Sequence, residues 1–179
     1  MAGQRLTDKT ALEQQAGSGD LLMVVDVSDT TGSAAGTSKK IDFKYVIQTD
    51  KITVTNAEVA DLHNTPRTLV GALSGYWINP INVMMNVIYG APTEGSNKNL
   101  IFGYDNASTA SSVNWSYETR FYGTLTTDRA YVFTGVSGNR LDDGQGAPFN
   151  KPFIMYSSGA FDGGWSAEVY VTYAYVKTL

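Results

Sequence analysis

One histidine, His63 in "ADLHNTP", is the chain's sole imidazole. Such a group can act as a general base or a metal ligand. A transition-metal site needs further His or Cys donors, however, and the chain has one His and no Cys. No G-x-S-x-G elbow supplies a nucleophile for it. His63 is therefore expected to be a polar residue at a strand end beside a turn. The acidic stretch "NRLDDGQG" offers Asn139, Asp142 and Asp143 as oxygen ligands for calcium, but its spacing differs from an EF-hand and Asp-Asp-Gly equally suits a tight turn. Asp26 and Asp29 read the same way, as caps of turns. "GSGD" at 17–20 lacks the Lys-Ser/Thr of a phosphate loop, and no G-x-G-x-x-G opens a helix. Asn106 and Asn114 head formal glycosylation sequons, which carry no weight without a secretory leader. Glycoside hydrolysis needs two acids about 5–10 Å apart, and 17 acids in the chain do not single out a pair. No cofactor and no metal are expected.

Aromatic side chains are the remaining chemistry. Trp115, Tyr117, Phe121 and Tyr122 in "NWSYETRFY" fit a carbohydrate-stacking surface, with Trp115, Tyr117 and Tyr122 as its glycan contacts. By period-two alternation Trp115, Tyr117 and Phe121 also share one strand face, the pattern of a core or a subunit interface.

The elements that position these residues follow from composition. Only 17% of the 179 residues are charged, while 18 glycines and 11 tyrosines favour strands and turns. A net charge of −4 provides no basic stripe for a phosphate backbone, so nucleic acid is not an expected partner. No run reaches the roughly 20 apolar residues of a spanning helix, so no membrane insertion is expected. "MAGQRLTDKTALEQQ" has no apolar leader core, so synthesis is expected in a cytoplasm.

Along the chain, Thr10 and Glu13 have capping-box spacing ahead of "ALEQQ", predicting a short helix. Leu21–Val27 is a continuous apolar run read as a strand, followed by a loop of small residues. "KKIDFKYVI" then alternates, with Ile41, Phe43 and Tyr45 on one face. The charge density drops after residue 50, which places a boundary between a segment 1–50 and a domain 51–179. "KITVTNAEVADL" reads as a further alternating strand, and "RTLVGAL" as another. "INVMMNVIYG" is apolar at so many positions that a central strand covered on both faces is predicted. "NLIFGY", "SSVNWSYETRFYGTL", "RAYVFTGV", "KPFIMYS" and "WSAEVYVTYAYVKTL" follow, separated by Gly, Asn, Asp or Pro clusters. In the last, Trp165, Ala167, Val169, Val171, Tyr173 and Tyr175 face one way, and Ser166, Glu168, Tyr170 and Thr172 the other. Seven or eight such strands predict an all-β fold: an antiparallel β-sandwich, jelly-roll-like, after a small N-terminal segment holding a short helix and a strand pair. Its exposed, charge-poor tyrosine face predicts a homo-oligomer.

Two stretches carry a resemblance. "EVADLHNTPRTLVGALSGYWINPINVMMNVIYG", "NKNLIFGYDN" and "NKPFIMYSSGAFDGGWSAEVYVTYAYV" resemble a β-sandwich module of tailed-bacteriophage virion proteins. The matching residues include Leu62, Thr65, Pro66, Leu69 and Val70, then Asn99, Leu100, Gly103 and Tyr104, then Gly163, Gly164, Val169, Val171 and Tyr173. "LLMVVDVSDTTGSAAGTSKKI" is similar to a segment near the start of phage fibres and appendages that attaches them to the particle. The resemblance implies a non-enzymatic virion protein. A chain of 179 residues has no room for a long shaft, so a head fibre or capsid decoration protein is expected, with a tail fibre or receptor-binding adhesin for host glycans as the alternative and a hydrolase third. Expected partners are two further copies in a homotrimer and other virion proteins of the capsid or tail. The particle-docking residues are then expected to be Leu21, Leu22, Val24, Val25, Val27, Ile41 and Phe43.

Overall fold

The computed structural model of the chain describes residues 21–32, 34–42, 46–104, 113–118, 120–121, 126–135 and 148–177. The helix expected from Thr10, the loop with Asp142 and Asp143, and residues Phe43, Tyr45, Asn106 and Tyr122 lie outside this set. The chain divides between Val46 and Ile47 into two compact units.

In the first unit β1 (Leu21–Asp26) pairs antiparallel with β2 (Thr37–Asp42), Leu21 opposite Asp42 and Asp26 opposite Thr37. Continuous apolar character and the turn residues after it made β1 legible as a strand.

The second unit begins earlier than the composition change suggests. Its first strand, β3 (Gln48–Val54), pairs with the last, β10 (Ser166–Lys177), from Gln48 opposite Tyr173 to Val54 opposite Ala167. Between them run α1 (Asn56–Asp61), β4 (Arg67–Val70), β5 (Tyr76–Ile88), β6 (Leu100–Tyr104), β7 (Val113–Glu118), β8 (Arg129–Phe133) and β9 (Phe153–Ser157). Among the described residues, eight strands form two four-stranded sheets, ordered β3-β10-β5-β8 and β4-β9-β6-β7. Counted within this unit, the orders are first-eighth-third-sixth and second-seventh-fourth-fifth, the interleaved Greek keys of a jelly roll. The expected all-β, jelly-roll-like sandwich is what forms.

Three local readings are corrected. The stretch read as a single alternating strand from Lys51 turns helical at Asn56. Thr55 caps α1: its hydroxyl oxygen accepts from the Glu58 N–H, while the Glu58 carboxylate accepts from the Thr55 N–H at 2.8 Å. Val59, read as part of that strand, is instead the buried residue of that turn of helix.

Second, β5 is central but covered on one face only. Ile78, Val83, Met85 and Val87 are buried, whereas Ile81, Met84 and Ile88 are 40–50% exposed. Pro80 lies within this strand opposite Tyr173, next to Ile81, the residue left unpaired where the register with β10 slips between Thr172 and Tyr173. The strands covered on both faces are β6 and β9, buried at every residue. Phe102, Phe153 and Met155 join the main core, and Ile101, Ile154 and Tyr156 form a second cluster on the sheet's other face.

Third, Trp115 and Tyr117 do not share a face. Phe102 pairs with Ser116 and Gly103 with Asn114, so Trp115 is the extra residue of a β-bulge. It turns inward onto the Phe153 ring, 5.5 Å between centroids, while Tyr117 lies opposite Ile101 on the outer face and is 46% exposed.

β10 alternates as read: Ala167, Val169, Val171 and Tyr173 are buried, and Ser166, Glu168, Tyr170 and Thr172 are half-exposed. Each large side chain so buried contributes about 1.5–3 kcal/mol. The sheets are also tied by a polar link in the core. The Tyr104 hydroxyl donates to the Ile78 carbonyl at 2.6 Å and accepts from Trp77 Nε1 at 3.0 Å. Burial pushes this phenol above its ordinary pKa.

Candidate functional site

Among the described residues, the hairpin β1–β2 holds a run of exposed apolar side chains. Directly opposed residues of an antiparallel pair share a face, so Leu22 and Val24 lie with Ile41 and Lys39, and Met23 and Val25 lie with Lys40 and Ser38. Both faces present apolar side chains to solvent: Leu22 is 40% exposed, Val24 36%, Met23 61%, Val25 56%, and Val27, just past the strand, 76%. Ile41 is half-buried. Leu21 is placed by its backbone in β1, and Phe43 lies outside the described residues.

The loop joining the strands is locally built rather than slack. Asp26 Oδ1 accepts from the Ser28 N–H at 3.0 Å and from its hydroxyl at 2.6 Å, and Asp29 Oδ1 repeats both contacts with Thr31 at the same distances. These are the turn caps expected of the two aspartates. Thr37 Oγ1 accepts from the Gly32 N–H at 2.9 Å. Gly36 closes the turn at φ +114°, where an added Cβ would stand 2.8 Å from the Asp26 carbonyl oxygen, so only glycine fits. Lys39 bridges the two turns, 2.8 Å from Asp26 Oδ2 and 2.9 Å from Asp29 Oδ2.

This electrostatic knot sets a pH response. The Lys39 and Ser28 hydrogen bonds hold the Asp26 carboxyl well below the ordinary carboxylate range, and the Thr31 and Lys39 contacts lower Asp29 to about 2. Both pKa values are depressed on folding, so the turn's contribution is complete above the free-aspartate value of about 3.9 and is lost as pH falls through the folded values. Carboxyl-carbon NMR titration of the full chain should place both midpoints below 3.9. Midpoints at the free value would show that the knot does not form in solution.

Other candidates resolve into structural roles. His63 is half-buried after α1, and its Nδ1 has no hydrogen-bond partner among the described residues. No group of three or more His, Asp or Glu residues suited to a metal ion occurs among the described residues. A groove of about 370 Å³ between α1 and β4 includes Glu58, Asp61 and Arg67. Glu58 there caps the helix and pairs with Arg67 at 2.8 Å, and Asp61 accepts from Asn64 Nδ2 at 2.9 Å. A second groove of about 380 Å³ includes Asp128 and Glu168. Asp128 accepts from the Tyr89 N–H at 2.8 Å, and Glu168 pairs with Lys51 at 2.6 Å.

Glu94 is the acid that composition could not pick out. It is 1% exposed, and one carboxylate oxygen accepts from the Gly163 N–H at 2.9 Å and Trp165 Nε1 at 3.1 Å. The other accepts from the Ser96 N–H at 2.8 Å and from the Ser96 hydroxyl. Asp162 adds a contact from the Gly95 N–H at 2.8 Å, and this hydrogen bond leads the lowering of its pKa. Glu94 therefore clasps two loops and carries no exposed acid function. The glycan reading weakens in the same way at Trp115, which is a core residue. Tyr117 keeps an exposed ring and Tyr122 lies outside the described residues.

No protein-family model matches the sequence, and no curated protein matches it. Among solved structures the chain is similar to one in the acidic stable capsid of Helicobacter pylori bacteriophage KHP30, at 15% identity and a TM-score of 0.42, covering 89% of this chain and 99% of that one. A chain of the cyanophage Pam1 capsid asymmetric unit gives 12% identity and a TM-score of 0.39, with 98% of each chain covered. A chain of the native virion of Kashmir bee virus at acidic pH gives 11% and 0.26, with 96% of each covered. These overlaps are remote, and it is the strand order that defines the fold.

Proposed function

We propose that the chain is a non-enzymatic structural protein of a bacteriophage virion, a capsid decoration protein or short head fibre, whose N-terminal unit attaches it to the particle. One observation carries this reading. The jelly roll buries a core of its own, whereas the hairpin exposes five apolar side chains and holds none of them in a core cluster. A two-stranded hairpin is marginal in water by itself. Burial of Leu22, Met23, Val24, Val25 and Val27 against another protein, with backbone hydrogen bonds added along a partner's sheet edge, would supply what is missing. The resemblance of "LLMVVDVSDTTGSAAGTSKKI" to phage attachment segments supports the same assignment.

The outer face of the sheet β3-β10-β5-β8 supports association into a homotrimer. Met84 stands opposite Val132, which is 67% exposed on the edge strand β8, and opposite Tyr170 on β10. Three attached arms would add their affinities through the shared particle. Sedimentation at micromolar concentration should give a trimer, and labelling of intact particles with an antibody to the sandwich should mark the head. Monomer alone at that concentration counts against the trimer. Label on the tail together with saturable binding of host glycans would favour the adhesin.

A further inference from the structure

We propose that the hairpin β1–β2 is already formed in the free chain, before it meets a particle, and that Lys39 is the positioning residue that holds it ready for attachment. This rests on the attachment reading above and adds how that site is kept in form. Apolar packing does not hold the hairpin: Leu22, Met23, Val24, Val25 and Val27 are 36–76% exposed, and none joins a core cluster. Its connection is also long, the ten residues 27–36, where hairpin loops commonly have about two to five. A slack loop of that length on an uncovered strand pair would leave the arm largely open.

The loop is instead closed at its root. Asp26, the last residue of β1, stands opposite Thr37, the first of β2, which makes Lys39 its diagonal neighbour on the same face. From there the Lys39 ammonium reaches Asp26 Oδ2 at 2.8 Å and Asp29 Oδ2 at 2.9 Å, so one side chain of β2 ties the end of β1 to the loop. On the loop side the Asp29 N–H donates to the Asp26 carbonyl at 3.3 Å, and the Thr31 and Thr37 hydroxyls lie 3.4 Å apart. Lys40 follows Lys39 in the strand and stands on the other face, opposite Met23. An isolated exposed ion pair contributes little, but one cation shared by two carboxylates is a network, and without it the two acids repel. All these contacts fall within residues 26–39, so they need neither the jelly roll nor a partner. A hairpin opens and closes in about microseconds, far faster than proteins meet, so the rate of attachment follows the fraction formed.

The test follows full-length protein, first free and then rebinding to particles of the phage that encodes it, purified after deletion of its gene. In the free chain the strand amides of residues 21–26 and 37–42 should exchange about 10-fold more slowly than unstructured peptide. Lys39→Met should bring them within about 2-fold of unstructured peptide while Val169 and Val171 keep their protection, and its association rate with particles should fall about 3-fold or more at a nearly unchanged dissociation rate. Lys39→Arg, whose guanidinium can donate to both carboxylates, should restore protection and rate. Gly36→Ala breaks the same turn without touching a charge, since its Cβ would stand 2.8 Å from the Asp26 carbonyl oxygen, and should behave as Lys39→Met does. Unprotected strands in the free wild type would overturn the preformed arm. Protection retained by Lys39→Met, or faster dissociation at an unchanged association rate, would overturn the positioning role. Lost protection with full-speed rebinding would overturn the link between order and attachment. Rebinding by residues 47–179 equal to the full chain's would overturn the attachment reading itself, and exchange in the free chain would still decide whether the hairpin is preformed.

Discussion

Replacement of Gly164 by alanine is expected to destabilise the sandwich by about 4 kcal/mol or more, among the largest effects a single methyl can have. The added Cβ would lie 2.0 Å from the Ala91 carbonyl oxygen and 2.4 Å from its carbon. Both are backbone atoms, so no side chain can swing away. The approach is held from within: Gly164 N–H donates to the Pro92 carbonyl at 2.7 Å, and Glu94 ties Gly163 and Trp165 to the same loop. Gly90 faces it equally closely, since a Cβ there would stand 2.0 Å from the Gly164 carbonyl oxygen. Relief would require opening the clasp and leaving the buried Glu94 carboxylate without donors, a cost of several kcal/mol. Urea denaturation of the purified variant checks this, with Gly71→Ala as control because nothing lies within 4 Å of its added Cβ. A Gly164→Ala loss under about 1 kcal/mol would mean that the two loops are not in this contact.

Removal of residues 1–46 should separate folding from attachment. Residues 47–179 hold every strand of the jelly roll, and Gln48–Val54 closes its sheet against β10, so the truncated chain is expected to unfold cooperatively with a midpoint close to the full chain's. Its retention on particles should fall at least about 100-fold, since the exposed apolar side chains of the hairpin are gone. A cut at residue 50 is expected to behave worse. It would remove Gln48, Thr49 and Asp50 from β3, along with the acceptors that Asp50 and Gln48 give the buried Tyr173 hydroxyl, at 2.9 and 3.3 Å. Chemical denaturation and quantitative immunoblotting of purified particles read the two effects independently.

The fold was legible where local pattern and burial agree. β10 shows this best, because alternation alone separates its core face from its outer face. β1 was legible from its continuous apolar run, β2 from its alternation, and Asp26 and Asp29 as turn caps from the Ser and Thr residues beside them. Strand pairing was not legible: Gln48 and Tyr173 are joined by tertiary packing and no local signal links them. The capping box Thr55–Glu58 was present in the sequence with the same spacing as Thr10–Glu13, but the alternation at Ile52 and Val54 just before it masked it. Trp115 and Tyr117 misled because one bulge inverts every later side chain of a strand, and a bulge leaves no composition signal. β5 misled differently. Its exposed Met84, Ile81 and Ile88 look like core residues in sequence, since hydropathy cannot tell a face that packs within one chain from a face that is open.

Of the proposed attachment site, the apolar strand β1 was legible in the sequence. The ion pairs of Lys39 with Asp26 and Asp29 were not, because they depend on the register of β1 with β2. Glu94 was invisible among 17 acids, as its role comes from donors about 70 residues away, the Gly163 N–H and the Trp165 indole.

The most direct measurement is a density map of the intact particle at side-chain resolution around residues 21–42. The expected result is an ordered hairpin with Met23, Val25 and Val27 buried against another virion protein. A hairpin standing free in solvent, with the jelly roll alone touching the particle, would contradict it.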